Sequence, residues 1–320
     1  MKTMKLYAGV LAVAASTAWG AGYPDKPVRL IVGVPAGGTP DVMARLVTPG
    51  LGELLGQQIV VDNRGGAGGM IGADLVAHAP SDGYTLLMTS PGALTIQPHL
   101  HRKMAYDPLK DLAPIGVVSI GPFLLITHPG VPAKTVKELV ALAKAQPGKL
   151  DYASAGSGTP NHLAMELFKS MAGIDINHVP YKGAPQAVTD LLAGQVSVMF
   201  NSIAPVLPHI RSGRVRALGI GSTKRSSVLP DIPTINESGV AGYEAVSWFG
   251  MLAPANTPKA IVTQLSKALE QVVHRPEIRK QFEGMGAEPL GGTPEEFGAL
   301  MRRESERYAK VVKTSGAKVD

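Results

Sequence analysis

Two stretches decide the fold: Val28-Arg29-Leu30-Ile31-Val32-Gly33-Val34-Pro35-Ala36-Gly37-Gly38-Thr39-Pro40 and Leu150-Asp151-Tyr152-Ala153-Ser154-Ala155-Gly156-Ser157-Gly158-Thr159-Pro160. Each runs from a short strand-like segment through glycines into Thr-Pro. Thr is a good helix N-cap and Pro suits the first helical turn. Each stretch therefore reads as strand, Gly-rich turn and helix. A helix start carries unpaired N–H groups and about half a positive charge. Glycines ahead of it let the backbone approach a ligand. Both turns are candidate anion cradles at the C-terminal end of a strand, where open α/β sheets bind ligands.

Working outward, apolar segments recur at Ile59–Val61, Tyr84–Met88, Ile115–Val118, Phe123–Ile126, Val196–Phe200 and Val215–Ile220. Helical patterns separate many of them. Thr135 and Glu138 form a capping box, followed by Val136, Leu139, Val140 and Ala143 on one face. Leu163, Leu167 and Met171 make a second stripe closed by Gly173, and Val188, Leu191 and Leu192 a third closed by Gly194. Such alternation predicts α/β architecture with parallel sheets covered by helices. The stretches Pro114–Thr127 and Tyr243–Pro254 have little helical pattern and read as crossings between two lobes. The expected division is 22–121 with 247–320 in one lobe and 122–246 in the other, the two cradles facing each other.

Lys2 and Lys5, the apolar run Leu6–Ala18 and the small residues around Ala18-Trp19-Gly20-Ala21 form a secretory signal over residues 1–21. The expected location is the periplasm, after cleavage. The chain has no Cys, which excludes disulfides, thiol chemistry and a lipid anchor on Cys. Removing Lys2 and Lys5 from 31 basic residues leaves 29 against 25 acidic, a net charge of +4. That weak excess favours anions. The basic residues are scattered, which argues against nucleic acid.

Other chemistries lack their signatures. The stretch from Arg64 to Gly72 is rich in glycine but has neither the G-x-G-x-x-G register nor Gly-Lys-Ser/Thr, so no nucleotide cofactor is expected. Close backbone packing or a ligand-facing loop is the reading there. His99 and His101 are a close histidine pair without a metal-binding motif, read as exposed loop residues. Ser154 or Ser157 with His162 would be the elements of a hydrolase, but no G-x-S-x-G and no third orienting group accompany them. Gly291-Gly292-Thr293-Pro294 resembles the cradles, yet Glu295 and Glu296 follow, and Glu296 completes a capping box with Thr293. Thr257-Pro258 lacks a Gly-rich approach. Both are read as structural. Asp41 places a carboxylate in the first cradle, where it either caps its own helix or meets an amino or hydroxyl group of a ligand.

The chain resembles the Bug family, the TctC-like extracytoplasmic solute receptors of tripartite tricarboxylate transport systems. The resemblance rests on Pro35-Ala36-Gly37-Gly38 with Asp41 and Ala44-Arg45, Asn63-Arg64 with Gly66–Gly69, Asp82–Leu87, Tyr106-Asp107-Pro108, Tyr152–Gly158 with His162, Val179–Gly183 and Leu229–Thr234. It implies a type II two-lobed periplasmic-binding-protein-like fold with a ligand cleft between the lobes. It further implies capture of a small carboxylate, delivery to a membrane permease, no catalysis and a monomeric state. It sets Ala36, Gly37, Gly38, Thr39, Asp41, Ser90, Ser154, Gly156, Ser157, Gly158, Thr159 and His162 around the cleft. Asn201 joins them where the family often has Asp. Val34 stands where an aromatic residue is common, and Gly65 where Pro is common, a change expected to loosen its loop. A solute sensor docking on a signalling receptor and an exported serine hydrolase are the alternatives.

Overall fold

A computed structural model describes residues 22–317, so the secretory signal expected over 1–21 lies outside the described residues. Strand β1 (Val28–Val32) has Val28, Leu30, Ile31 and Val32 wholly buried. A near-continuous apolar run is what a parallel strand covered on both faces requires. Its neighbours β2 (Ile59–Asn63) and β3 (Thr85–Thr89) lie parallel on either side. Helix α1 (Thr39–Leu55) connects β1 to β2, and α2 (Met70–Ala77) connects β2 to β3.

The second group repeats the unit. After β4 (Leu112–Thr127) and α3 (Val136–Ala145) come β5 (Asp151–Ser154), α4 (Pro160–Ala172), β6 (Asn177–Pro180), α5 (Ala184–Leu192), β7 (Val198–Ser202), α6 (Ile203–Arg211) and β8 (Arg216–Ile220). The chain then returns through β9 (Val246–Pro254), α7 (Lys259–Val273), α8 (Pro276–Gly284), β10 (Glu288–Gly291) and α9 (Pro294–Ser315). The strand order is β2-β1-β3-β9-β4-β7-β5-β6, with β8 and β10 also pairing β4.

Strand β4 ties the two lobes together. From Leu112 to Pro122 it pairs with β9, and from Phe123 to Thr127 it pairs with β7 and β8. One lobe packs Leu30, Val47, Met88, Phe249 and Leu269 into its core, and the other packs Tyr152, Phe168, Phe200 and Tyr243. Three expectations need correction. The segments Ile115–Val118 and Phe123–Ile126 are one strand, not two. Pro122 stands at the change of partners, where a missing N–H is tolerated. The sheet is mixed: β1, β2, β3 and β5, β6, β7 run parallel within their groups, but β4 and β9 are antiparallel to their neighbours. These two are connecting strands rather than members of strand-helix-strand units. In α4 the buried face is Leu163, Ala164, Met165 and Phe168, while Met171 is exposed. A strict four-residue spacing drifts by about 40° per step around a helix, so the stripe read from Leu163, Leu167 and Met171 leaves the core.

The expected threonine caps form at Thr159 and Thr293, but α1 is capped by Gly38 with no side-chain bond and Thr39 lies in its first turn. The Thr135 hydroxyl accepts from the Glu138 amide at 3.1 Å, and the Glu138 carboxylate accepts from the Lys134 amide at 2.6 Å. Thr293 and Glu296 form the reciprocal capping box. In the second core, Phe168 meets Phe200 and Tyr243 edge-on, with ring centroids 5.9 and 5.8 Å apart. Phe168→Ala is therefore expected to cost about 3–5 kcal/mol through lost burial and the cavity left behind. Urea unfolding would show this as a lower midpoint with an unchanged slope.

Candidate ligand-binding site

Six parallel strands end at one cavity, and five of them deliver an α-helix to it. Gly38, Thr39 and Pro40 open α1 after β1, and Gly69, Met70 and Ile71 open α2 after β2. From the other lobe, Thr159, Pro160 and Asn161 open α4 after β5, Gly183 and Ala184 open α5 after β6, and Asn201 and Ser202 open α6 after β7. The cavity measures about 700 Å³. Its walls belong to both lobes, and Val34, Pro35, Phe123 and Phe249 make much of them apolar.

The electrostatics are one-sided. The first-turn amides of a helix lie outside its own hydrogen-bond ladder, and its N-terminus carries a partial positive charge. Lys182 and His101 lie on the wall, and among the described residues no Asp or Glu does. Among α1, α2, α4, α5 and α6, only α1 has an acid in its first turn, Asp41. By contrast α3, α8 and α9, which begin elsewhere, start with Glu138, Glu277 and Glu295-Glu296.

Asp41 is turned away from the cavity. Its carboxylate accepts from the Gly37 amide at 2.8 Å, from Arg45 Nε at 3.0 Å and from Asn63 Nδ2 at 3.0 Å. Asn63 also donates to the Val34 carbonyl at 3.1 Å. Burial opposes ionisation of Asp41, but the bonds from Arg45, Gly37 and Asn63 outweigh it and hold the carboxyl below its ordinary range. Of the two roles open to it in the sequence, the structure shows the brace: Asp41 fixes the loop and its charge is met by Arg45.

The second loop is braced in a different way. Ser154 Oγ lies 2.7 Å from His178 Nε2 and accepts from the Gly156 amide at 3.1 Å. His162 Nδ1 accepts from the Gly158 amide at 3.1 Å. Thr159 Oγ1 donates to the Gly156 carbonyl at 2.7 Å. The rings of Tyr152, His178 and His162 stack with centroids 4.7 and 4.3 Å apart. Ser154 is fully buried behind the cavity wall. Thus Gly38, Thr39, Ser90, Gly156, Ser157, Thr159 and Asn201 line the cavity; Asp41, Ser154, Gly158 and His162 are buried behind its wall, and Ala36 and Gly37 are exposed outside the lining.

Some lining residues gave little signal. Gln97 donates through Nε2 to the Ser157 carbonyl at 3.0 Å, bridging the lobes. His101, read as exposed, is partly buried and on the wall. A histidine pair in sequence cannot reveal which member meets the cavity. Lys182 and Gly183 lie in Val179–Gly183, a stretch quoted for the resemblance but given no role. A Cβ on Gly183, whose φ is +137°, would stand 2.7 Å from Pro35 Cγ, so glycine permits the lobes to touch there. Gly65 does not loosen its loop. A Cβ there would stand 2.5 Å from Pro35 Cδ, so the glycine lets that loop pack directly on the β1 turn. The Gly-rich stretch is thus both close-packed and on the cavity wall.

The model of the tripartite tricarboxylate transporter family receptor matches residues 43–317. The chain belongs to that receptor family. It is 39% identical to the protein BugT of Bordetella pertussis over 298 residues, covering 93% of this chain and 91% of BugT. Among solved structures, Rpa4515 of R. palustris, described with adipate, superposes with a TM-score of 0.91 at 37% identity, over 93% of this receptor and all of that chain. MatC of Rhodopseudomonas palustris, described with bound malate, gives 0.87 at 32% identity, over 91% of this receptor and all of that chain. The receptor thus has the two-lobed solute-binding fold. None of its described helices is long and apolar enough to cross a membrane.

Asp41 supplies a pH test. Its depressed pKa adds stability that is present above the unfolded-state value near 3.8 and lost as pH falls through the folded value. Asp41→Asn keeps an acceptor but removes the charge facing Arg45. It should cost about 1–3 kcal/mol at pH 7, and the gap from the parent protein should narrow below about pH 4. Denaturant titrations at pH 7 and pH 3 measure both.

Proposed function

We propose that this protein captures a small organic acid between its lobes in the periplasm and presents it to the membrane permease of a tripartite transporter. One observation carries the reading: five helix N-termini and Lys182 surround a cavity on whose wall, among the described residues, there is no carboxylate. Such a site favours an anion without an arginine clamp. The malate and adipate of two relatives support the ligand class, and the family's name supports the permease. The residues in contact with the acid are Gly38, Thr39, Ser90, Gly156, Ser157, Thr159, Lys182 and Asn201. Ala36, Gly37, Asp41, Ser154, Gly158 and His162 hold the contacting loops in place. The lobes, 22–121 with 247–320 and 122–246, hinge where β4 changes partners at Pro122 and where β9 begins. Residues 1–21 act as the export signal and are cleaved.

A thermal-shift panel of mono-, di- and tricarboxylates, amino acids and aromatic acids tests the reading. At a hundredfold excess over Kd, a bound acid should stabilise the protein by about 3 kcal/mol. The absence of any shift with every acid at millimolar concentration would refute it. With the best acid in hand, Lys182→Gln should weaken binding about fivefold at low salt and less at high salt. Lys182→Arg should retain most of the affinity. Calorimetry at two ionic strengths reads this out.

A further inference from the structure

On the lobe division and the capture of an acid proposed above, one side chain of the first lobe grips the ligand loop of the second. Gln97 donates through Nε2 to the Ser157 carbonyl at 3.0 Å. Its amide lies between two glycines, one from each lobe. A Cβ on Gly68 would collide with Gln97 Nε2, and a Cβ on Gly158 would stand 2.5 Å from the same atom. Gln97 is only 1% exposed, so bulk water does not compete for the bond. Beside it, Ile96 of the first lobe, Leu163 of the second and Tyr308 of α9 share one buried apolar cluster.

The amide's orientation and its segment are both fixed. Flipping the amide would set Oε1 against the Ser157 carbonyl, acceptor against acceptor. Tyr106 Oη donates to the Ala93 carbonyl at 2.7 Å and ties the turn before Gln97 to the first lobe. The grip is limited, however. Gln97 Oε1 is buried with no hydrogen-bond partner, and a bond left unmade offsets much of the one that is made. A contact of that kind holds two lobes together yet lets them part. All its atoms belong to the protein, so no ligand is needed to form it.

We propose that Gln97 is a positioning residue that latches the lobes: it holds the Ser157–Gly158 loop against the first lobe, so that the protein reaches its closed form without an acid and releases a captured acid only when this contact breaks. Opening separates Gly68 from Gly158 and parts the bond between Gln97 and Ser157. The latch therefore acts on the rate of escape, not on the rate of encounter.

The chain has no Cys, so Val60→Cys and Met171→Cys, both at exposed positions and on different lobes, place one spin label on each lobe. Pulsed electron paramagnetic resonance on the protein without acid should show a short interlobe distance beside a longer one. Gln97→Ala leaves a gap between the two glycines and should lower the ratio of short to long about fivefold. Gln97→Glu at pH 8 sets a carboxylate against the Ser157 carbonyl and should lower it at least as far. With the best acid of the thermal-shift panel, stopped-flow mixing should show escape from Gln97→Ala about fivefold faster, with association within about twofold of the parent. Should one variant fail to fold, as judged from its melting curve, the other gives the same reading. A single long distance in the parent, or distances and escape rates unchanged in the variants, overturns the latch and leaves the capture of an acid standing. No acid binding to the parent protein overturns the capture reading, while the distances without acid still decide the latch.

Discussion

The molecule is organised by the meeting of helix N-termini from two lobes across one gap. Each parallel strand that ends at the cavity hands its chain to a helix, and the first turn of that helix carries a partial positive charge. One such terminus is an ordinary structural feature. Five of them around a cavity with no carboxylate on its wall among the described residues make a positive hollow largely out of the main chain. A backbone-built site has little conformational entropy to lose when a ligand arrives, because its donors are held by strands and helices already folded.

That arrangement depends on side chains that never reach the cavity. Asp41 would reverse the polarity of the first loop if its charge faced inward. It accepts instead from Gly37, Arg45 and Asn63, so it fixes the loop while Arg45 meets its charge. In the second lobe the stacked rings of Tyr152, His178 and His162 carry the loop from Ser154 to Thr159. His162 and Ser154 accept from the Gly158 and Gly156 amides. The histidine and serine that suggest hydrolytic chemistry in the linear sequence thus shape a loop. Gly183 and Gly65 act by lacking a Cβ: the first lets the two lobes touch, and the second lets a loop lie on Pro35.

The lobes share strand β4, whose two halves pair with different neighbours, and Gln97 reaches from one lobe to Ser157 of the other. A long shared strand keeps the two halves in register while leaving few covalent crossings to bend, the geometry that hinged closure around a ligand needs.

Much of this was present in local signals. The strand-turn-helix punctuation at Gly37-Gly38-Thr39-Pro40 and Gly156–Pro160, the caps at Thr135 and Thr293 and the burial of β1 all follow from interactions within a few residues. Those interactions are encoded by residue type and spacing. The sequence by itself therefore determined the helix starts, the α/β alternation and the donor-rich loops. Only the tertiary structure decided which of those loops share a cavity, that Asp41 and His162 turn behind its wall, that β4 is continuous through Pro122, and that Gln97, Phe123, Ser247 and Phe249 join the lining. Those facts depend on contacts between segments far apart in the chain, and the direction in which a side chain points is set by the neighbours that fold against it rather than by the residues beside it in sequence.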